Sequence, residues 1–73
     1  MNTVQVYIDE ELDTLNLEQV KQQLLSMPHV TDVELNFRDH HDMVVEYEAM
    51  GGMPMNIVDN LRHSGLHADI ISA

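Results

Sequence analysis

Two pairs of residues in this chain have the types and spacing that could hold a metal ion: Asp13 with Asn16, and His63 with His67. Carboxylate and imidazole together suit a borderline divalent ion such as Zn(II), Ni(II) or Cu(II), so this set is the candidate metal site. Each pair has a plainer reading beside it. Asp and Asn are common helix caps, and Asp is favoured near the positive end of a helix dipole. Gly65 between the two histidines should end a helix and split their shared face, which leaves them as solvated turn residues. Met50, Met53 and Met55 form the chain's one cluster of soft donors, of the kind that binds Cu(I) or Ag(I), with His29 as the imidazole that could support it. Methionines near paired glycines also fill irregular gaps in a core.

What is missing narrows the chemistry further. With no cysteine, the chain has no thiolate ligand, no disulfide and no cysteine nucleophile. No glycine-rich phosphate loop, nucleophile elbow or activated serine is present, and no carboxylate is set by spacing in an apolar pocket that would raise its pKa. The sequence therefore reads as a non-enzyme. Thirteen acidic residues against three basic ones give a formal charge of -10, which repels nucleic acid and anionic lipid and favours a basic protein partner. No basic-then-apolar leader and no long apolar run are found, so a soluble cytoplasmic monomer is expected. Seventy-three residues suffice for a single domain, 1–73, with little room for a cleft.

The elements that must position these residues follow from periodicity. Val4, Val6 and Ile8 alternate with polar neighbours as a half-buried strand does. Asn16, with Gln19 after it, predicts a helix start by a capping box, and Leu17, Val20, Leu24 and Leu25 form its apolar stripe. Pro28 disfavours helical geometry at Met27, so the helix should stop near Ser26. Val33, Leu35 and Phe37, a polar tip from Arg38 to Asp42, and then Met43, Val45 and Tyr47 read as a hairpin. If its second strand starts early, His40 and His41 point to opposite sides, and at most one could join a metal site. Gly51 and Gly52 mark a loop, Pro54 suits a first helical turn, and Ile57, Val58 and Leu61 supply a second stripe that ends before Gly65. Ala68, Ile70 and Ser72 suggest a last short strand.

The sum is β-α-β-β-α-β, an α+β ferredoxin-like sandwich in which two helices cover one face of a four-stranded antiparallel sheet. In that topology the end of the first strand, the hairpin tip and the end of the second helix share one pole. Asp9, Glu10, Glu11 and Asp13 would meet His40, His41, His63 and His67 there, while His29 and the methionines lie at the opposite pole.

Two stretches carry a resemblance. Ser26-Met27-Pro28-His29-Val30-Thr31-Asp32-Val33 resembles the G-V-x-x-V hairpin entry of heavy-metal-associated domains, with His29 where glycine is usual. Ile57-Val58-Asp59-Asn60-Leu61-Arg62-His63-Ser64-Gly65-Leu66 is similar to that family's I-x-x-A-I-x-x-x-G-Y ending, with Leu66 in place of its aromatic residue or lysine. The resemblance spans essentially the whole chain and implies the ferredoxin-like fold, a place among small copper chaperones and modules of metal-transporting ATPases, and M-x-C-x-x-C in the first loop. Counted back from Val30, those two cysteines fall on Asp13 and Asn16, where this chain reads Asp13-Thr14-Leu15-Asn16. Oxygen donors suit monovalent copper poorly.

The expected function is accordingly that of a metallochaperone-like accessory domain without the thiolate Cu(I) site. No cofactor is required, although Zn, Ni or Cu could be held weakly by Asp13, Asn16, His63 and His67, and the partner would be a basic protein such as a metal-transporting ATPase domain. The alternative is a metal-free interaction or regulatory module that docks a basic partner through its acidic surface.

Overall fold

The computed structural model describes residues 2–36 and 38–72. Its order is β1 (Asn2–Ile8), α1 (Thr14–Leu25), β2 (Val30–Leu35), β3 (Asp42–Tyr47), α2 (Met53–His63) and β4 (Ala68–Ser72). The strands form one antiparallel four-stranded sheet in the order β2-β3-β1-β4, the ferredoxin-like arrangement that the periodicity predicts. Alternate strand residues, Val4, Val6, Ile8, Val33, Met43, Val45 and Tyr47, turn to the same side and meet Leu17, Val20 and Leu24 of α1 and Ile57, Val58 and Leu61 of α2. Among the described residues no polar or charged side chain is buried, so the core is held by apolar burial alone. Phe37, expected to extend the β2 alternation, lies outside the described residues.

The start of α1 corrects the sequence reading. The cap is Asp13, not Asn16: Asp13 is extended (φ -74, ψ 172), its Oδ1 accepts the Asn16 N–H at 2.8 Å and its carbonyl accepts the Leu17 N–H at 2.9 Å. Both residue types cap well, and the earlier start wins because it adds most of a helical turn without disturbing the Leu17, Val20, Leu24 stripe. Helix α2 opens with Pro54 in its first turn, as expected. It closes in a Schellman motif: Gly65 (φ 88) donates to the Arg62 carbonyl at 3.0 Å, Leu66 donates to the Leu61 carbonyl at 3.2 Å, and Leu66 packs on the core.

Two local expectations are revised, and a third position is explained. In β4 only Ala68 is buried: Ile70 stands opposite Val6 but is 36% exposed on this edge strand, and a register shift after it, with Gln5 opposite Ser72, makes Ile71 the extra residue. Of the methionine cluster only Met53 enters the core, and Met50 and Met55 are each about half exposed, at 50% and 49%. His29 takes the left-handed conformation, with φ 70, at the turn into β2. That backbone shape explains why a glycine fits the same place in the resembling domains.

Candidate functional site

The segment between β1 and α1, residues 9 to 13, is tied down by histidines from two other connections. At the β1 end, Ile8 donates its N–H to the His41 carbonyl at 2.8 Å, and His41 Nδ1 returns a bond to the Ile8 carbonyl at 2.7 Å while its ring stacks on Tyr7 at 5.2 Å. At the α1 end, His40 Nδ1 donates to the Leu12 carbonyl at 2.8 Å. Between them, the Asp9 N–H donates to the His67 carbonyl at 2.8 Å, and Glu10 takes His67 in a two-point grip. Its Oε1 accepts the His67 N–H at 2.8 Å and its Oε2 accepts Nδ1–H at 2.6 Å. A carbonyl can only accept, so Nδ1 carries the proton in His40 and His41 and each ring is held in one tautomer.

The predicted convergence of the first-strand loop, the hairpin tip and the α2–β4 turn is therefore present, but it is organised for closure of the loop. His40 and His41 do not diverge as a strand would make them. Both lie in the turn before β3, and both rings engage the β1–α1 segment. Asp13 spends its carboxylate on the α1 cap, and Asn16 sits exposed in the first turn of that helix. His63 is held one turn back on its own helix, where Nδ1 donates to the Asp59 carbonyl at 2.7 Å. His67 belongs to Glu10. Asp13, His63 and His67 thus form no ligand cluster. Among the described residues no group of three or more His, Asp or Glu side chains could hold a metal ion.

Glu10, which the topology placed at this pole, is the side chain that the structure pairs with His67. It stands 57 residues from His67, and no local pattern links them. The pair perturbs both titrations. The hydrogen bond from the His67 side chain, reinforced by the His67 backbone N–H, lowers the Glu10 carboxyl below its ordinary value. The same hydrogen bond, reinforced by the Glu10 charge, raises the His67 imidazole.

No protein-family model matches the sequence, and no curated protein sequence matches it. Solved structures do match in shape. A copper-binding domain from HMA7, a P-type ATPase, superposes with a TM-score of 0.85 at 15% identity, over 99% of this chain and 96% of that one. The N-terminal domain of PacS from Synechocystis PCC6803 gives 0.81 at 18% identity, over 99% of this chain and 100% of that one. The yeast copper transporter domain Ccc2a, described in apo and Cu(I)-loaded states, gives 0.83 at 14% identity, over 97% and 96%. The described residues have the ferredoxin-like fold that these metal-binding domains share. It also has no cysteine with which to bind as a dithiolate domain does.

Proposed function

We propose that this chain is an accessory domain of the heavy-metal-associated type, metallochaperone-like in shape, that has kept partner docking and given up thiolate copper transfer. The observation that carries this reading is the state of the β1–α1 segment. Where the resembling domains place two thiolates, this chain places a helix-capping carboxylate at Asp13, and its loop is tied to His40, His41 and His67 by hydrogen bonds. An imidazole whose Nδ1–H is committed to a carbonyl or carboxylate still has Nε2 to offer, so His63 or His67 can take a divalent Zn, Ni or Cu ion weakly, with Asp13 and Asn16 nearest the emptied thiolate positions. The working partner is a basic protein, a metal-transporting ATPase domain being the kind the fold suggests. The role is non-enzymatic.

Competition for Cu(I) against a colorimetric chelator, together with Zn(II) and Ni(II) titrations followed by amide NMR shifts, tests this reading. The chelator should keep the Cu(I), and divalent ions should move only signals near His63 and His67. Retention of Cu(I) against the chelator, with shifts centred on Asp13, overturns it.

A further inference from the structure

The sheet face turned away from the helices is arranged as a contact surface. Because β1–β3 and β1–β4 pair in fixed register, its outward residues fall into rows. The middle row runs from Glu34 on β2 through Val44 and Gln5 to Ser72, and Val44 is 36% exposed. On one side Asp32 stands directly opposite Glu46, and on the other Tyr7 is flanked by Asp42 and Asp69. A centre of Val44 and Gln5 with charged residues around it, Arg38 lying in the same groove as Glu34 and Asp42, has the layout of a protein interface, with a less charged centre and a polar rim.

A like-charge pair distinguishes this face from a merely solvated one. Like charges placed directly across neighbouring strands destabilise a sheet, and Asp32 stands opposite Glu46 with no ion pair to either among the described residues. Several acidic side chains elsewhere have internal work: Glu10 grips His67, Asp13 caps α1, Asp39 accepts the His41 N–H and Asp59 lies by Arg62, whereas Asp9, Glu11 and Glu18 make no ion pair among the described residues. Among the described residues Glu34, Asp42 and Glu46 make no ion pair, while Asp69 is matched by Arg62 at 3.1 Å and Glu48 lies 3.5 Å from His29. A second copy of the chain would bring the same charge of -10 against this surface, and nucleic acid or an anionic membrane would repel it likewise.

We propose that the uncovered sheet face, centred on Val44 and Gln5 and rimmed by Glu34, Glu46 and Asp42, docks a partner protein whose surface presents Lys and Arg around an apolar patch. This is the docking half of the function proposed above. Cu(I) affinity does not depend on it, so the failure of either reading leaves the other standing.

The test uses the whole chain, labelled with nitrogen-15, and a short synthetic peptide alternating Lys and Val, with a Glu and Val peptide as control. Amide shifts should concentrate at Gln5, Val44, Glu46 and Ser72 and fade as salt rises, and the acidic control should move nothing. Glu34→Gln with Glu46→Gln should weaken peptide binding about tenfold, while Asp9→Asn with Glu11→Gln, the same change of charge at the loop pole, should weaken it less than about twofold. Glu46→Gln alone should also raise the melting temperature of the free chain, which keeps lost binding from being mistaken for lost folding. Equal weakening by the two double variants, shifts spread over both helices, or binding indifferent to the sheet-face variant overturns the assignment.

Discussion

Replacing Asp13 by alanine separates a helix cap from a metal ligand. The substitution removes the Oδ1 that accepts the Asn16 N–H at 2.8 Å and leaves that amide to water. Losing such a cap costs about 1 kcal/mol, within a range of about 0.5–2. Removing a negative charge from the helix N-terminus costs a further ~0.3–1 kcal/mol at low salt, partly offset here by relief of the chain's acidic self-repulsion. A net loss of about 1 kcal/mol lowers the melting temperature by about 4–8 °C in a domain of this size. Asp13→Ser keeps an acceptor at the same place, so it should stay within about 0.5 kcal/mol of the parent. Thermal unfolding followed by circular dichroism, with EDTA present throughout, measures both. Equal destabilisation by alanine and serine, or a penalty for alanine that appears only when a divalent ion is added, would refute the capping assignment.

Three more outcomes are expected. The Glu10–His67 contact should be strongest between pH 4.5 and 6.5, the ordinary values of the two groups, where both are charged in either state of the chain. A raised imidazole pKa means its stabilisation is lost as pH rises through the folded value, and a lowered carboxyl pKa means its share is lost as pH falls through the folded value. NMR titration should show His67 titrating above 6.5, and Glu10→Gln should return it toward that value. Asp13→Cys with Asn16→Cys should create Cu(I) binding in the chelator competition, because two thiolates would then occupy the loop and the first helical turn. No gain in Cu(I) affinity would show that the fold's loop geometry is no longer compatible with such a pair. At the left-handed turn, His29→Gly should be more stable to urea than His29→Ala by about 1 kcal/mol, since alanine keeps the steric cost of positive φ and both variants lack the ring. Equal stability of the two would contradict the φ of 70 at that residue.

Much of this architecture was legible before any coordinates. The period-2 runs at Val4–Ile8, Val33–Leu35 and Met43–Tyr47 and the helical stripes at Leu17–Leu24 and Ile57–Leu61 encode which side of each element is apolar, and that is a local property of the chain. Pro54 and Gly65 announced the ends of α2 because their backbone constraints are intrinsic to the residue. Local information was ambiguous where two caps of equal quality, Asp13 and Asn16, stood three residues apart. In β4 it gave the strand but not its burial, since Ile70 stays exposed at the sheet edge and a register shift follows it.

Sequence alone therefore settled the order of elements, the lack of thiols and the acidic charge, since periodicity, composition and capping chemistry act over a few residues. Only the tertiary structure decided what the histidines do. His40, His41 and His67 find their partners 28, 33 and 57 residues away. Such contacts depend on the relative placement of loops after the sheet has assembled, and no spacing along the chain encodes it.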